Sequence, residues 1–292
     1  MNSKKNILFL INPISGIGKK GDIPDLIKTH IGSEHNTEIQ YTEHVGHGKE
    51  ITASRHHEFD AIIAIGGDGT VNEVASQLIN TKCALGVIPA GSGNGLARHL
   101  KIPLTAKSAL ERIASFQPEQ YDTGTVNGEF FVGTCGFGFD GYIAYLFDHY
   151  HKRGFISYAK LIAREYMNFE PIEFEVSVDG ELSTHKALVC AVGNSSQFGN
   201  GFTISPDSNM QDGVMELILI DKFPLIDTPA IGTRFFTQTI HNSKYFHRLQ
   251  FKQEARISVK NYSEGYYHLD GEPRSGMTDF TVNCFARNLL IL

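Results

Sequence analysis

The sequence lacks the features that mark secreted, membrane-spanning and zinc-finger proteins. Its apolar runs fall well short of the ~18 residues that a transmembrane helix needs. Its four cysteines include no C-x-x-C pair, which excludes a zinc site of that kind and predicts reduced thiols in a cytoplasmic protein. Basic residues are also few: 26 lysines and arginines face 32 aspartates and glutamates, so the net charge of −6 gives no reason to expect nucleic acid as a partner.

What is present is typical of a globular protein. The 292 residues are 41% hydrophobic and 20% charged, enough for one large or two ordinary domains with a sizeable core. The opening, MNSKKNILFLINPISG, places two lysines before an apolar run, as a signal peptide does. The run covers only Ile7 to Ile11 and Pro13 follows at once, so it predicts a first β-strand instead.

Up to Asp122, strand and helix patterns alternate. The predicted strands are NILFLIN, TEIQYTE, AIIAIG and ALGVIPA. The predicted helices are DIPDLIKTHI, with Asp22 as a candidate N-cap, GHGKEITASRHHE, TVNEVASQLIN, GLARHLKI and AKSALERIASF. Such alternation predicts a mainly parallel sheet covered by helices.

After Asp122 the pattern changes to short strands separated by turns. A hairpin is predicted around Asn127-Gly128, followed by one long helix over 141–169. The predicted strands beyond it are IEFEVSVDG, STHKALVCAVGN, VMELILI, YFHRLQF, ARISVKN, YYHLDG and DFTVNCFA. We therefore predict an α/β domain over 1–123 and a β-rich, sandwich-like domain over 124–292, with the C-terminal segment a candidate to return to the first domain.

Three glycine-containing loops stand where predicted strands end. They are NPISG (12–16), GGDGT (66–70) and PAGSGNG (89–95). Ligands of an open parallel sheet bind beyond the carboxyl ends of its strands, and glycines there let backbone N–H groups approach phosphate oxygens. Thr70 heads the following helix, whose N-terminus favours negative charge, so the loops predict a phosphate site. The G-x-G-x-x-G matches at 16–21 and 136–141 carry little weight, because the pattern is common in glycine-rich chains and NPIS separates the first match from its strand.

Asp68 is out of place in a loop built for phosphate, because a carboxylate repels phosphate unless a cation lies between them. A Mg²⁺ ion held there removes the conflict. The alternative from the residues alone is that Asp68 caps or braces the turn, and both roles stay open at this point.

Six motifs together resemble the catalytic domain shared by diacylglycerol kinases and sphingosine kinases. They are NPISG, GGDGTVNEV, PAGSGNGLARHL, YDTG (121–124), SPDSNMQDGVMELILI (205–220) and HLDGEP (268–273), in family order across nearly the whole chain. The resemblance implies a nucleotide-binding α/β domain like those of phosphofructokinases and NAD kinases, followed by a β-sandwich. It also implies an ATP-dependent lipid kinase that uses Mg²⁺ and transfers the γ-phosphoryl group to a lipid hydroxyl.

The resemblance also implies which residues bind the nucleotide. They are Asn12, Pro13, Ser15, Gly16, Thr42, Gly66, Gly67, Asp68, Gly69, Thr70, Asn72 and Ser92. Asp68, which is implied to be catalytic as well, and Asp122 match carboxylates that hold Mg²⁺ through water.

Two further motifs match a metal site and a catalytic base. Asn209, Asp212 and the backbone carbonyl of Val214 match a second, structural metal site of the family. Glu272 matches the proposed general base, and Asp270 is the second choice for that role. Taken alone, two acids in one loop are common without a catalytic function.

One departure from the family concerns the acceptor. Bacterial diacylglycerol kinases usually read Gly-Thr-x-Asn-Asp in the third loop, and the last Asp joins the Mg²⁺ network where this chain has Gly95. Sphingosine and ceramide kinases have a loop more like GSGNG. We expect a diacylglycerol-like lipid first and a long-chain base second. The ammonium of a long-chain base needs a carboxylate, for which Asp140 and Asp148 are the nearest candidates, although solvent exposure is the commoner fate of such residues.

The segment 141–169 is the candidate for membrane contact. It is rich in aromatic residues and carries Lys152, Arg153, Lys160 and Arg164, which suit peripheral binding at the inner membrane face where the lipid is presented. The alternative is a helix with one buried face and one solvated face. The thirteen histidines show no metal-binding spacing.

Two other classes of function stay open. A kinase of a small hydroxyl substrate, such as an NAD kinase, shares GGDGT but is not expected to carry the DGE and 205–220 motifs. A non-catalytic lipid- or nucleotide-binding relative is suggested by Gly95 and opposed by the acidic residues retained in the other motifs. A homodimer is a candidate assembly that no pattern in the sequence specifies.

Overall fold

The structure is a computed structural model that describes residues 3–15, 22–149 and 155–292. The chain folds into two compact units. The first comprises Met1–Asp122 together with Arg287–Leu292, and the second comprises Thr123–Ala286. Each has a hydrophobic core of its own.

Parallel strands form the sheet of the first unit. They are β1 (Asn6–Ile11), β2 (Asn36–Tyr41), β3 (Ala61–Gly66) and β4 (Ala84–Pro89), in the order β2–β1–β3–β4. β3 and β4 are buried along their whole length, as expected of apolar parallel strands that are covered on both faces. Their parallel register brings the carboxyl ends of β1, β3 and β4 to one edge of the sheet, where the three glycine-containing loops begin.

Helices pack beside this sheet. They are α1 (Ile23–His30), α2 (His47–Arg55), α3 (Asp68–Ala75), α4 (Gly95–His99) and α5 (Ala106–Ser115). Asp22 is the N-cap residue of α1, but its side chain makes no capping hydrogen bond. α3 begins at Asp68 rather than at the predicted Thr70, because Gly67 takes the extended N-cap conformation (φ −91°, ψ −173°).

The second unit is a sandwich of antiparallel sheets. Its strands are β5 (Glu119–Val126), which begins in the first unit, β6 (Glu129–Phe131), β7 (Thr134–Gly138), β8 (Ile172–Val178), β9 (Glu181–Ala187), β10 (Val189–Gly193), β11 (Gln197–Gly199), β12 (Phe202–Thr203), β13 (Met215–Ile220), β14 (Phe246–Phe251), β15 (Glu254–Lys260), β16 (Tyr267–Leu269), β17 (Glu272–Arg274) and β18 (Asp279–Ile291). One sheet has the order β14–β13–β10–β7–β16–β17, and the other contains β9, β8, β15 and the first part of β18. Their inner faces share one core, in which Phe137 and Phe174 are fully buried. The predicted fold class, an α/β domain followed by a β-sandwich, is confirmed.

The helices of the second unit differ from the prediction. The single helix predicted over 141–169 is wrong, because α6 (Phe139–Asp148) ends with His149 as its C-cap and α7 (Phe155–Tyr166) is a separate helix. α8 (Thr228–Phe236) has no counterpart in the prediction, since its proline, glycine and threonines give it a low helix propensity. Within the described ranges, none of the helices has the length and apolar character needed to cross a membrane.

The C-terminal strand β18 serves both units in turn. Its first part pairs antiparallel with β15 in the second unit. Its last residues return to the first unit, where Ile291 lies beside Leu85 in parallel register and Leu292 N–H donates to Leu85 O (2.9 Å). Leu289, Ile291 and Leu292 are buried there, so the end of the chain completes the core of the first unit.

Candidate active site

Asn12, which directly follows β1, closes the first loop. Its Oδ1 accepts hydrogen bonds from the backbone N–H groups of Ile14 (3.0 Å) and Ser15 (3.2 Å). Its Nδ2 donates to Thr70 Oγ1 (3.1 Å) in the first turn of α3. Asn12 therefore shapes the first loop and joins it to the second.

The glycines of the second and third loops lie against each other. A Cβ atom added to Gly91 would lie 2.5 Å from Gly67 Cα, which is a backbone atom that cannot yield easily. A Cβ at Gly66 would overlap the side chain of Thr70. These glycines are therefore needed for the packing of the loops themselves, in addition to any approach of phosphate.

Asp68 braces the third loop. Its Oδ2 accepts a hydrogen bond from Asn94 N–H (2.9 Å), and its Oδ1 accepts one from Gly95 N–H (2.9 Å). The carboxylate thus satisfies two donors at the N-terminus of α4, a position that also favours negative charge. The bracing role that the sequence left open is present in the structure. The metal role of Asp68 stays a prediction.

Asn94 organises the third loop and was missed by the sequence prediction. It takes a left-handed conformation (φ 51°) as the N-cap of α4. Its Oδ1 accepts from Gly91 N–H (3.0 Å) and its Nδ2 donates to Gly91 O (2.9 Å), which closes the loop on itself. An Asn directly before a predicted helix is an N-cap signal, so the sequence did contain the necessary pattern.

α4 brings one positive charge next to the third loop. Arg98 Nε donates to Gly93 O (3.2 Å). Burial, with a smaller contribution from the positive Lys101, lowers the pKa of His99 to about 4. His99 is therefore neutral near pH 7 and adds no charge beside the loop.

Thr42 and Glu73 hold the segment before α2. Thr42 is buried, and its N–H donates to Ile11 O (2.9 Å). The Glu73 carboxylate of α3 accepts from Gly46 N–H (2.8 Å) and Gly48 N–H (3.1 Å) at the start of α2. No sequence pattern pointed to Glu73, because its partners lie 25 and 27 positions away.

The remaining predicted nucleotide positions are spread over the same loops. Pro13 lies in the turn that Asn12 closes, and Gly69 and Asn72 lie in α3. Ser92 is exposed at the tip of the third loop. Gly16 lies outside the described residues, as do the 16–21 pattern, Lys152 and Arg153.

The predicted metal residues fall in different parts of the chain. Asp122 is fully buried in β5, and its Oδ1 accepts from Arg287 N–H (2.7 Å) within the first unit. Asn209 and Asp212 are exposed in the loop before β13, where each side chain accepts a hydrogen bond from the backbone two residues on. For Asp212 that donor is the N–H of Val214 (2.9 Å). The metal roles of all these residues stay predictions.

Asp270 and Gly271 form the two-residue turn between β16 and β17. Both have positive φ (50° and 84°), the signature of a type I′ hairpin turn. The Asp270 carboxylate accepts three backbone hydrogen bonds, from the N–H groups of residues 132 (2.9 Å), 133 (2.7 Å) and 134 (3.0 Å). Glu272 follows the turn with its side chain 55% exposed. Asp270 is thus bound by the backbone of residues 132–134, whereas the Glu272 carboxylate is exposed, so that a substrate can reach it.

The expectation that Asp140 is solvent-exposed is wrong. Its Oδ2 lies 2.8 Å from His268 Nε2, and both side chains are buried (6% and 4% exposed). Asp140 lies in the first turn of α6, and Gly136 opposite leaves the space that the pair fills. Asp148, the other candidate for an ammonium partner, is exposed at the end of α6.

Two histidines do come together in a cluster with metal-like geometry, contrary to the expectation from their spacing. His44, His47 and Glu50 present their ligand atoms within 4.8 Å of one another on the described surface. However, His47 Nδ1 accepts from Glu43 N–H (3.0 Å), which puts the proton of the neutral ring on Nε2 and removes its metal-binding lone pair. The cluster is therefore a poor metal site.

Two family models match the chain. The model described as diacylglycerol kinase catalytic domain matches residues 6–126. The model described as YegS C-terminal NAD kinase beta sandwich-like domain matches residues 133–292. The two models follow the order of the α/β part and the sandwich.

Named relatives and solved structures agree with these matches. A diacylglycerol kinase of Bacillus subtilis (strain 168) is 28% identical over 278 residues, covering 92% of this chain and 90% of the relative. One of Staphylococcus saprophyticus is 26% identical over 275 residues, covering 92% and 89%. A structure described as a putative diacylglycerol kinase from Bacillus anthracis str. Sterne has a TM-score of 0.82 at 21% identity, covering 99% of this chain and 98% of that one. A second structure so described, from the same organism, has a TM-score of 0.80 at 20% identity, with coverages of 99% and 98%. At 20–21% sequence identity, the similarity to these two structures supports the fold alone.

Proposed function

The chain belongs to the family that joins a diacylglycerol kinase catalytic domain to a YegS C-terminal NAD kinase beta sandwich-like domain, and we propose that it transfers the γ-phosphoryl group of ATP to a lipid hydroxyl. The family is one of lipid kinases, for which ATP is the phosphoryl donor. Diacylglycerol-like lipids are the first choice of acceptor and long-chain bases the second.

The observation that carries the proposal is the junction of the three strand-end loops in the first unit. Asn12 joins the first loop to the second. Asp68 joins the second loop to the third, and Gly67 lies directly against Gly91. Backbone N–H groups and helix N-termini gathered at one sheet edge favour the binding of nucleotide phosphates.

The donor set of the first unit suits Mg²⁺. Asp68 offers carboxylate oxygens, the hard ligands that Mg²⁺ prefers, and Mg²⁺ usually keeps several of its waters. Asp122 is fully buried and already accepts from Arg287 N–H, so its proposed contact with the metal would be indirect. A bound Mg²⁺ would offset the charge that develops on the transferred phosphoryl group. Asn12 and Thr70 fix the loops around the phosphates, while Asp68 holds the third loop in register. Asn209, Asp212 and Val214 are proposed to hold the second, structural cation.

Glu272 is the proposed general base for the acceptor hydroxyl. It is the exposed carboxylate of the DGE turn, and its Oε2 lies 4.0 Å from Arg274 Nη1. Asp270 is less suited to the role, because three backbone N–H groups already bind its carboxylate. A positioned base typically contributes about 10²–10⁴-fold to the rate.

The buried Asp140 supports placing diacylglycerol before a long-chain base. An ammonium group needs an accessible carboxylate, and the Asp140 carboxylate is enclosed and bound to His268. Asp148 is accessible but lies at the far end of α6 from the turn that carries Asp140. Diacylglycerol carries no ammonium group and therefore needs no such carboxylate.

A transfer assay with radiolabelled ATP tests the proposal. The acceptors are diacylglycerol, phosphatidylglycerol, sphingosine and NAD, with mixed micelles for the lipids. We expect label in diacylglycerol. A sphingosine preference above tenfold in kcat/KM, about 1.4 kcal/mol, would reverse the order of acceptors and keep the kinase. Phosphorylation of NAD alone would overturn the lipid assignment, and ATP binding without any transfer would favour a non-catalytic relative.

We also propose peripheral docking on the anionic, cytoplasmic membrane face through the segment that leads into α8. Leu225, Ile226 and Phe236 are 55%, 86% and 47% exposed. α8 buries Ile231 and Phe235 on its inner side, and the exposed apolar surface consists of Leu225 and Ile226 just before the helix and Phe236 at its end.

Two cations of this segment, Arg234 and Lys244, are proposed to meet the anionic surface. Residues 221–248 contain four lysines and arginines against two aspartates, but Lys222 is paired with Glu170, and Arg248 is paired with Asp207 and Glu216. Ile156 and Met167, in and just after α7, are 70% and 54% exposed, so the segment 141–169 stays a proposed contact as well.

Vesicle sedimentation tests this surface. Wild type should bind phosphatidylcholine vesicles that contain phosphatidylglycerol, and Ile226→Glu should weaken binding roughly 10- to 100-fold, as expected for the loss of one buried aliphatic side chain. Leu182→Glu, at a leucine of β9 that is 67% exposed, is the matched control and should bind as wild type does. Equal binding by both variants would contradict the assignment. A homodimer that Ile226→Glu dissociates in light scattering would assign the surface to a second copy instead.

A further inference from the structure

We infer that the buried imidazole of His268, through its Nδ1, positions the Asp270-Gly271 turn and, through the turn, Glu272, while Asp140 binds the other ring nitrogen. The catalytic part of this inference rests on the proposed kinase function. Its structural part, that the His268 Nδ1 contact fixes the turn, stands on the contacts of the second unit alone.

The hydrogen bonds of His268 determine which of its two ring nitrogens carries the proton. Gly271 N–H donates to His268 Nδ1 (3.2 Å), so the proton of the neutral ring is on Nε2. Nε2–H then donates to Asp140 Oδ2 at 2.8 Å. The two ring nitrogens therefore act differently, since Nε2 is anchored by α6 and Nδ1 holds the second residue of the turn.

The surrounding backbone is shaped to admit the pair. His268 lies opposite Gly136 in the pairing of β16 with β7, and a side chain at 136 would overlap both Asp140 and His268. Gly141 lets α6 lie directly on the backbone of Tyr266 and Tyr267. Asp140 also gains from its place in the first turn of α6, where the helix dipole favours a carboxylate.

The turn is thus held from two sides. Asp270 binds the N–H groups of residues 132–134, and Gly271 is bound by His268. Glu272 is the next residue and pairs with Leu269 across the hairpin. A displacement of about 1 Å of a catalytic group can lower a rate by 10²-fold, so fixing this turn bears directly on the rate of proton removal.

The two ring nitrogens can be separated by substitution. His268→Asn keeps an oxygen near the position of Nδ1, so it retains the bond to Gly271 and loses the partner of Asp140. His268→Gln keeps an N–H near the position of Nε2, so it retains the bond to Asp140 and loses the bond to Gly271. A buried carboxylate left without its partner is strongly destabilising, so we expect His268→Asn to be the less stable variant.

The activities of these two variants should rank in the opposite order to their stabilities. We expect kcat of His268→Gln to fall roughly 10- to 100-fold with the KM for ATP unchanged, and His268→Asn to keep most of kcat at a temperature where it is folded. If the histidine only stabilised the fold, activity would follow stability and His268→Asn would be the poorer enzyme. That result would overturn the inference.

Amide hydrogen exchange at Gly271 gives a readout that needs no kinase activity. Protection should be kept in His268→Asn and lost in His268→Gln; equal protection in both would overturn the positioning role. Glu216→Gln is the control, because the Glu216 carboxylate on β13 is similarly buried (3% exposed) and binds Arg248 and Gln250 rather than the turn. It should lower stability without changing kcat or the exchange of Gly271. If wild type transfers no phosphate, the proposed function fails while the exchange result still decides the structural part.

Discussion

At the scale of single residues, Asp68 has the bracing role that the sequence left open, and its metal role is a proposal. Its two oxygens hold the N–H groups of Asn94 and Gly95, so it braces the third loop. In the proposed metal role, the same carboxylate accepts a hydrogen bond from a metal-bound water. A substitution at Asp68 should therefore affect both stability and turnover, and the two effects must be measured separately.

We expect Asp68→Asn to reduce activity roughly 10- to 100-fold, as for other groups that hold a metal through water. An amide has one oxygen, so one backbone donor is left unpaired and the free energy of unfolding should fall by about 1–3 kcal/mol. Raising the Mg²⁺ concentration should recover part of the activity, because it acts on metal occupancy and not on the loop. Wild-type activity in this variant, or no response to Mg²⁺, would contradict the metal role.

Substitutions at the two carboxylates of the DGE turn should have different effects, one on kcat and the other on stability. Glu272→Gln should lower kcat by about 10²–10⁴-fold with no change in thermal unfolding, because the side chain is 55% exposed. Asp270→Asn should lower the free energy of unfolding by about 1–3 kcal/mol, because an amide cannot accept all three N–H bonds. A Glu272→Gln enzyme with nearly normal kcat would move the base to another residue.

His99 should make stability depend on pH. Burial lowers its pKa to about 4, whereas an unfolded histidine titrates near about 6.5. Between these values the unfolded state binds a proton that the folded state does not, so stability falls as pH drops, by up to about 1.4 kcal/mol per pH unit. His99→Gln should flatten this part of the profile in urea unfolding. An identical slope in both proteins would show that His99 does not carry the effect.

At the scale of elements, the contact between the second and third loops depends on the absence of side chains. Gly91→Ala should destabilise the first unit by about 1–3 kcal/mol and weaken nucleotide binding, because the new Cβ would meet Gly67 Cα at 2.5 Å. Calorimetry with a non-hydrolysable ATP analogue measures the binding. Gly232→Ala is the control, since no atom lies within 4 Å of its added Cβ, and it should be neutral or slightly stabilising. Normal nucleotide affinity in Gly91→Ala would argue against a role of this contact in the phosphate site.

The elements with continuous apolar patterns could be predicted from the sequence. AIIAIG matches β3 because a buried parallel strand needs no alternation, and Asn127-Gly128 marks the hairpin because both residues accept positive φ. α8 was missed because its local propensities oppose the helix, which exists because Ile231 and Phe235 pack into the core. The 141–169 helix was joined wrongly because the aromatic pattern continues past the end of α6 at Asp148.

Residues of the site could be predicted only where the residues that act together lie close to one another in the sequence. The loops after β1, β3 and β4 were found because glycine marks them. The roles of Glu73 and His268 were not found, because their partners are distant in sequence. Glu73 binds residues 25 and 27 positions away, and His268 binds Asp140, which is 128 positions away. Such pairs become visible only when the register of the strands and the packing of the helices are known.

At the scale of the whole molecule, the last residues should be essential to the first unit. Deleting 287–292 removes the buried Leu289, Ile291 and Leu292, and each buried aliphatic side chain contributes about 1.5–3 kcal/mol. It also removes the N–H group that binds Asp122. We expect the truncated chain to lose cooperative unfolding of the first unit in calorimetry. Arg287→Ala, which keeps its backbone N–H, is the control and should unfold nearly as wild type does; a truncated chain that melts normally would contradict the expectation.

The same C-terminal return sets an order of events during translation. Asp122 leaves the ribosome 165 residues before Arg287, its hydrogen-bond donor, which at about 5–20 residues per second is a delay of roughly 10–30 s. During that interval β4 lacks its neighbour beside Leu85 and presents an unpaired strand edge, a surface prone to pairing with other chains. The sandwich, formed from residues 123–286, is synthesised in full before the nucleotide-binding unit can close. The unit that is translated first is thus the last to be completed, and we expect its nascent form to expose the edge of β4 until residues 287–292 emerge.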